Sequence, residues 1–246
     1  MGGRGSSSRL AGSAKPAGTE KPSYHYFYDK ASGGFNYEGD GHHQEAWFKA
    51  NSNVDEVVSA TDADTRRAMS DWTAGHFMTG QQYDGWDRMS ASDKARTQRY
   101  DDMLDKSVIH KGVTVVRRTT AELLFGKGKT SATLAELQAM EGREIISTGN
   151  MSTGAAAQGL TIGSYNKDHE FRIHIPAGSK GAGMWIGDRR INPGWGPDQR
   201  EFMTNRDIRL KVGKTTYDES RGVYVTDVTF TGRLPHDYGK SGRLAL

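Results

Sequence analysis

The spacing of apolar residues changes once along this chain, and that change constrains the fold class more than any other feature. Between about 43 and 106 the spacing is that of amphipathic helices. One such set is Met69, Trp72, His76 and Phe77. From 112 onward, short alternating segments are separated by turn residues: VTVVR, EIIST, EFRIHIP, GMWIG, REFMT, DIRLKV and GVYVTDVTF. Helices followed by strands predict an α+β domain rather than alternating α/β units.

Several helix starts are marked by short oxygen-bearing side chains, which cap free backbone N–H groups. Asn53 is expected to cap a helix over 54–59, and Thr61 or Asp62 the next one. Two further starts have the spacing of a capping box: Ser90 with Asp93, and Thr133 with Glu136.

The sequence predicts three regions. Residues 1–40 form a flexible, basic, Gly/Ser-rich tail that ends in an aromatic strip, YHYFYD. Residues 41–233 form the folded domain, and 234–246 a C-terminal tail. Residues 1–22 carry four basic side chains and one acidic one, which equals the net +3 of the whole chain. The remainder is therefore neutral, and a continuous basic groove for nucleic acid is not indicated.

Composition excludes several classes of protein. The absence of cysteine excludes disulfides, thiolate metal sites and cysteine nucleophiles. No apolar run reaches the length of about 18 residues that a membrane helix needs, and the first residues lack the apolar core of a secretory signal. His42, His43, His169 and His174 have no further ligand at metal-binding spacing, so no metal site is predicted.

Three short segments carry residues suited to a charged ligand, and the first is VTVVRR (113–118). Strand alternation places Val113, Val115 and Arg117 on one face. Burying an arginine on an apolar face is costly unless an anion meets it. Arg117 is therefore either a phosphate-binding residue or a surface arginine at a strand end.

The second segment is NMSTG (150–154), where Ser152 and Thr153 lie at the expected end of a strand. A ligand site and a simple serine–threonine turn cap both explain the pair. Ser147 and Thr148 repeat the pattern just upstream.

The third segment is DQREF (198–202). As a strand, it would project Gln199 and Glu201 from one face, roughly 6.5–7 Å apart. The carboxylate could then stabilise positive charge on a sugar while the amide orients an acceptor. A solvated strand face is the alternative.

In this order, the segments resemble the Arg, Ser-Thr-Ser and Glu-x-Glu signature of mono-ADP-ribosyltransferases, specifically the toxin-like branch with Gln-x-Glu. The motifs fall on Val115-Val116-Arg117, Ser152-Thr153-Gly154 and Gln199-Arg200-Glu201. The resemblance covers about residues 45–231 and includes Trp72-Thr73, where the family often has an aromatic-Thr pair on a helix. It implies an ADP-ribosyltransferase-like split antiparallel β core with N-terminal helices, and a catalytic role for the domain.

The resemblance also implies that NAD is the substrate and that no metal takes part. Arg117 would bind the pyrophosphate, and the backbone of Arg118 would face the nicotinamide amide. Ser152 and Thr153 would contact the dinucleotide, with Ser152 orienting Glu201. Glu201 would hydrogen-bond the nicotinamide ribose and stabilise an oxocarbenium-like state as nicotinamide leaves.

On the acceptor side, the resemblance assigns Gln199 to orienting the acceptor and Trp195 to recognising it. The glutamine form of the motif, as in the clostridial exoenzymes that modify Rho, goes with acceptors other than arginine. A host protein is the expected acceptor; no membrane partner is expected, and the oligomeric state is not indicated. The alternatives are a nucleic-acid acceptor and a catalytically silent structural or binding module of a virion. The opening MGGRGSSS resembles some phage minor head proteins, which suggests a virion-associated enzyme delivered to a bacterial host's cytoplasm.

Three positions depart from the family pattern. Val116 replaces a tyrosine, Gly154 replaces the last serine, and Asn150 stands where a phenylalanine often stacks on nicotinamide. Trp185 is a candidate to supply that aromatic ring instead.

Overall fold

The computed structural model describes residues 40–73, 82, 85–154, 167–194, 196–236 and 238. Nearly all of the predicted N-terminal tail, His76, Phe77, Trp195 and residues 239–246 lie outside this part of the chain. Within it, every helix is too short or too polar to cross a bilayer.

Helices occupy the N-terminal part, as the spacing of apolar residues predicts. They are α1 (Asp40–Asn51), α2 (Val54–Ala60), α3 (Ala63–Thr73) and α4 (Ala91–Leu104), followed later by the short α5 (Glu122–Phe125) and α6 (Leu134–Gln138). The predicted starts at Asp62, Ser90 and Thr133 are confirmed. Asp62 Oδ1 accepts a hydrogen bond of 2.6 Å from the Thr65 amide, and Thr133 forms a reciprocal capping box with Glu136.

Asn53 precedes α2 but does not cap it with its side chain. Its Nδ2 donates to the Lys106 carbonyl at 2.8 Å, and its Oδ1 accepts from the Val108 amide at 2.7 Å. The expected cap is wrong because these backbone groups, distant in sequence, take both polar atoms of the amide. Asn53 instead ties the start of α2 to the chain that leaves α4.

The C-terminal part consists of strands, as the alternating pattern predicts. They are β1 (Val108–Ile109), β2 (Val113–Thr119), β3 (Glu144–Ser147), β4 (Met151–Gly154), β5 (His169–Ile175), β6 (Ser179–Lys180), β7 (Gly183–Trp185), β8 (Glu201–Thr204), β9 (Ile208–Asp218) and β10 (Val223–Arg233). Eight of them form a sheet in the order β3-β9-β10-β5-β2-β4-β8-β7, and β1 pairs with β6.

The large sheet is almost wholly antiparallel, with β5 and β10 as its parallel pair. The register of β2 with β4 consists of one pair, Val116 opposite Gly154. A five-stranded part and a three-stranded part are thus joined by a single bridge, which gives the split β core that the family resemblance implies.

Helices α1 and α3 pack on the three-stranded part of the sheet. Phe48 of α1 stacks on Trp185 of β7, with ring centroids 5.2 Å apart, and lies 5.5 Å from the ring of Phe202 of β8. Trp72 of α3 meets Tyr100 of α4 edge to face at 5.6 Å. All five side chains are buried, so their apolar area stabilises the contact between the helices and β7 and β8.

The start of the predicted C-terminal tail packs against the end of α4. His236 is held between Asp207 Oδ2, 3.0 Å from its Nδ1, and Asp105 Oδ1, 2.9 Å from its Nε2. Beside it, Arg206 forms a buried ion pair of 2.7 Å with Asp101.

Candidate active site

The three segments identified in the sequence lie on the neighbouring strands β2, β4 and β8. Gly154 of β4 stands opposite Val116 on one side and Glu201 on the other. Because residue 154 is glycine, no side chain stands directly opposite Glu201 on β4. The structure therefore brings Arg117, Ser152 and Glu201 together at the point where the sheet splits.

Arg117 follows Val113 and Val115, which lie in the core, on the same face of β2, as strand alternation predicts. Its guanidinium Nη1 donates a hydrogen bond of 2.7 Å to the backbone carbonyl of Ser152. This contact fixes the half-buried cation beside β4. A fixed planar cation suits the recognition of phosphate oxygens.

Glu201 is the first residue of β8 and is completely buried. Its Oε1 accepts a hydrogen bond of 2.9 Å from the indole Nε1 of Trp72 on α3. Its Oε2 is buried as well and has no hydrogen-bond partner among the described residues. A buried carboxylate oxygen without a donor is costly, and a ligand hydroxyl would satisfy it.

Burial raises the pKa of Glu201, while the Ser152 hydroxyl, the Trp72 indole and the Arg117 charge act in the opposite direction and favour the carboxylate. The Ser152 hydroxyl lies near the Glu201 carboxylate but forms no hydrogen bond with Oε2, which has no partner among the described residues. Burial dominates, so the pKa of Glu201 lies above that of an ordinary glutamate.

Ser152 and Thr153 lie within β4, not at a turn, and point to opposite faces. The Thr153 hydroxyl donates a hydrogen bond of 2.6 Å to the Phe202 carbonyl, and the side chain is completely buried. This corrects the expectation that both hydroxyls bind the dinucleotide. Thr153 holds β4 to β8, and Ser152 shares the face of β4 that Glu201 adjoins.

Asn150 is part of a buried network that supports β4. Its backbone amide donates to Gln82 Oε1 at 2.7 Å, and its Oδ1 accepts from Gln82 Nε2 at 2.6 Å. Asn150 Nδ2 also donates to the Thr204 carbonyl at 3.2 Å. The polar residue at position 150 thus fixes the start of β4 relative to β8. Sequence reasoning missed Gln82, because its partner lies 68 positions away and no local pattern marks it.

Gln199 does not lie in a strand. Residues Gly196–Gln199 form a 3₁₀ helix, and β8 begins only at Glu201. Arg200 between them has φ of 52°, a left-handed conformation that interrupts the alternation of an extended chain. The prediction that Gln199 and Glu201 project side by side from one strand is therefore wrong: Gln199 ends the 3₁₀ helix, and Glu201 begins β8.

Trp185 does not take the place of the missing aromatic residue. It is 1% exposed and stacks on Phe48, with an angle of 12° between the rings. A Cβ at Gly187 would lie 2.6 Å from the Trp185 ring. Trp185 is thus enclosed in the core and cannot stack on a ligand.

Within the described ranges, no group of three histidine, aspartate or glutamate side chains is arranged to hold a metal ion. The polar groups at the site are a guanidinium, a hydroxyl and a carboxylate. Such groups can bind a ligand that carries negative charge and hydroxyl groups, by electrostatics and hydrogen bonding.

The family model described as ADP-ribosyltransferase exoenzyme matches residues 80–231, which include all three segments. The chain belongs to this family. It is therefore an NAD-dependent enzyme that transfers ADP-ribose. No curated protein sequence matches it significantly.

Solved structures of ADP-ribosyltransferases share the fold. Plx2a, an ADP-ribosyltransferase toxin from Paenibacillus larvae, has a TM-score of 0.64 at 17% identity; the match covers 78% of this chain and 97% of Plx2a. C3stau2 from S. aureus, solved with NAD, has a TM-score of 0.63 at 13% identity, covering 85% and 99% of the two chains. The Clostridium limosum C3 exoenzyme has a TM-score of 0.60 at 10% identity, covering 85% and 98%. At these identities the likeness concerns the fold, including the N-terminal helices and the split β core.

Proposed function

We propose that this ADP-ribosyltransferase transfers ADP-ribose from NAD to a protein side chain other than arginine, with Glu201 as the central catalytic residue. The observation that supports this most is the environment of Glu201. It is a buried carboxylate with one oxygen held by Trp72 and the other without a donor, next to Arg117 and Ser152.

On the donor side, Arg117 is suited to bind the pyrophosphate of NAD, because its guanidinium is oriented by the Ser152 carbonyl. The backbone of Arg118 faces the nicotinamide amide in this proposal. The Arg118 side chain is directed elsewhere and donates to the Lys167 carbonyl at 3.1 Å. The pyrophosphate oxygens of NAD would thus meet a guanidinium that is already in position.

In the reaction, the bond between ribose C1′ and the nicotinamide nitrogen breaks, and nicotinamide leaves with the electron pair. Glu201 stabilises the positive charge that develops on the ribose and accepts a hydrogen bond from a ribose hydroxyl at Oε2. The acceptor then forms a bond to C1′ and releases its proton. A preorganised charge of this kind is typically responsible for a factor of roughly 10²–10³ in rate.

On the acceptor side, Gln199 lies at the end of the 3₁₀ helix, two positions before Glu201. In the proposal its amide orients the acceptor, and Trp195 in the same loop recognises it. A host protein is the acceptor that we favour.

The function is tested by incubating the full chain with NAD and measuring nicotinamide release, with and without a cleared cell lysate. NAD labelled in its adenine ring reports transfer. Protease and nuclease digestion of the labelled product then distinguishes a protein acceptor from a nucleic acid. Intact-mass analysis of lysate proteins would identify the target.

Two variants separate the proposed roles. Glu201→Ala should abolish both nicotinamide release and labelling. Gln199→Ala should reduce labelling much more than NAD hydrolysis. If wild type and Glu201→Ala both fail to release nicotinamide, a silent structural or binding module is favoured instead. Equal loss of transfer and hydrolysis in Gln199→Ala would contradict its assignment to the acceptor.

A further inference from the structure

The loop between β7 and β8, residues 186–200, is joined near its start to the N-terminal helices by one charged cluster. Asp188 is only 4% exposed. Its carboxylate accepts three hydrogen bonds from Arg190: from the amide at 2.8 Å, from Nε at 2.9 Å and from Nη2 at 2.6 Å. Arg190 and Asp188 therefore form one rigid unit inside the loop.

That unit reaches across to α1 and α2. Arg190 Nη2 donates to Asp55 Oδ1 at 2.6 Å, and Arg190 Nη1 donates to Ser59 Oγ at 3.0 Å. Lys49 of α1 lies 3.8 Å from Asp188 Oδ2. Two helices thus contact the same point of the loop by charge.

The contact that Asp188 and Arg190 make with α1 and α2 is ionic. A pocket of about 470 Å³, lined mostly by charged side chains, lies beside these contacts between the loop and α1 and α2. Its lining residues are His42, Glu45, Lys49, Asp55, Asp188, Arg189, Arg190 and Pro197. The packed aromatic contacts of Phe48 lie at the ends of the loop, with Trp185 and Phe202. Between those ends Ile191 is buried in the core, and the ionic cluster adds a charged contact of the loop with α1 and α2.

The cluster also sets the path of the chain towards Gln199. The Asp188 carbonyl accepts from the amides of Ile191 and Asn192, at 3.0 and 2.8 Å, and the Asn192 carbonyl accepts from the Gly196 amide at 2.9 Å. Gly196 begins the 3₁₀ helix that ends at Gln199. A continuous series of hydrogen bonds therefore connects Asp188 to the helix that bears Gln199.

We propose that Asp188 and Arg190 are positioning residues for acceptor modification: they hold the loop on α1 and α2 so that Gln199 stands in place before an acceptor arrives. This inference rests on the proposed role of Gln199. Neither residue is expected to contact NAD, since their described contacts lie in the loop and the helices. Their loss should therefore affect transfer and leave hydrolysis of NAD nearly unchanged.

The test is the ratio of transfer to hydrolysis in Arg190→Met. Transfer is the labelling of proteins in a cleared cell lysate by adenine-labelled NAD, and hydrolysis is nicotinamide release without lysate. The ratio should fall on the order of tenfold, because small errors in positioning a reacting group are costly in rate, with an unchanged KM for NAD. Arg190→Lys retains the charge beside Asp188 and should recover part of the ratio.

Arg209→Met is the matched control. Arg209 is 44% exposed, against 40% for Arg190, and it also forms an ion pair of 2.6 Å, with Glu144 on β3. It lies on β9, away from the loop, so its ratio should equal that of wild type. An equal ratio in Arg190→Met, or a parallel fall of transfer and hydrolysis, would overturn the proposal.

Asp188→Asn gives a second variant, read by tryptic cleavage after Arg189 and Arg200 together with the activity ratio. Faster cleavage at both sites together with a lower ratio of transfer to hydrolysis supports the proposal that Asp188 holds the loop on the helices. Unchanged cleavage and an unchanged ratio contradict it. Wild type that hydrolyses NAD but labels no macromolecule would refute the proposed transfer function, and the inference with it. Wild-type transfer by Arg190→Met would refute the positioning role of Arg190 and leave the proposed transfer function intact.

Discussion

The indole of Trp72 donates a hydrogen bond to the carboxylate of Glu201, across 129 positions of sequence and between a helix and a strand. Both side chains are completely buried. This bond favours the ionised carboxylate, against the burial that raises the pKa of Glu201. Trp72 therefore positions the Glu201 carboxylate, and in the proposed mechanism it acts on catalysis through that residue.

Trp72→Phe should shift the acidic limb of the pH–rate profile for nicotinamide release to higher pH. Loss of the hydrogen bond removes one influence that lowers the pKa of Glu201, so the carboxylate protonates more readily. The rate near neutral pH should fall by roughly tenfold or more, since a hydrogen bond to a charged group contributes about 1.5–3 kcal/mol. Trp185→Phe is the control, because the Trp185 Nε1 has no partner in the described structure. The same shift in both variants would contradict the assignment.

Glu201→Gln should raise thermal stability near neutral pH while it abolishes activity. The pKa of Glu201 is higher in the folded state than in the unfolded state. The contribution of Glu201 to stability is therefore fully present below its pKa in the unfolded state and declines as the pH rises through its pKa in the folded state. The variant lacks this decline. We expect its Tm to be higher by about 2–4 °C, which corresponds to about 1 kcal/mol in the free energy of unfolding. Calorimetry should show this difference in Tm between variant and wild type at pH 7.5 and a smaller difference near pH 4.5. A difference that does not vary with pH would refute the explanation by the pKa of Glu201.

Arg117→Lys should weaken NAD binding, because an ammonium group cannot reproduce the forked contact of a guanidinium with phosphate oxygens. Loss of one charge-assisted hydrogen bond predicts an increase in the KM for NAD of about 10–100-fold. Arg172→Lys on the neighbouring β5 is the matched control, since Arg172 is engaged with Glu170 at 3.2 Å. A KM for NAD that stays at the wild-type value in Arg117→Lys would exclude the pyrophosphate role.

Gly183→Ala should destabilise the junction of β7 and β8. Gly183 has φ of 147°, and a Cβ there would lie 2.4 Å from the Met203 carbonyl oxygen. Relief requires movement of the β8 backbone, for which we expect a loss of about 3 kcal/mol or more in the free energy of unfolding. At Gly194 a Cβ would meet nothing within 4 Å, so Gly194→Ala should stay within about 0.5 kcal/mol. Chemical denaturation of both variants measures the difference.

His236→Gln should lower stability more at pH 6 than at pH 8.5. Burial opposes protonation of His236, but hydrogen bonds with Asp105 and Asp207 and the charge of Asp101 outweigh it, even against the Arg206 charge, and raise the pKa of His236. Stability from a raised pKa is fully present below the unfolded pKa of the histidine and is lost as pH rises through the folded pKa. We expect a loss of about 2 kcal/mol near pH 6.

The environment of His236 also includes Tyr238, whose hydroxyl donates to Asp101 at 2.9 Å, and Arg233, which pairs with Asp105 at 2.9 Å. His236→Gln leaves these contacts in place, so the pH dependence reports the histidine. A loss of stability that does not vary with pH would show that His236 acts through packing alone.

Local patterns predicted the elements of this fold well where one physical preference dominated. Alternation located β2, β5, β9 and β10, and the caps at Asp62 and Thr133 began their helices as expected. The patterns failed where a distant group competed with the local one. Asn53 bonds to Lys106 and Val108 rather than to α2, since nothing in its neighbourhood reveals those partners.

The sequence by itself determined the family and the helix-then-strand order, and it pointed to Arg117, Ser152 and Glu201 as candidate site residues, because these follow from residue types in order along the chain. The tertiary structure decided which other residues contact or support these three side chains. It turned Thr153 towards Phe202 and placed Gln199 in a 3₁₀ helix. It also supplied Trp72 and Gln82 as partners from distant helical segments. Burial and hydrogen bonding between distant segments arise only when the sheet and helices pack, and they set the chemistry of Glu201.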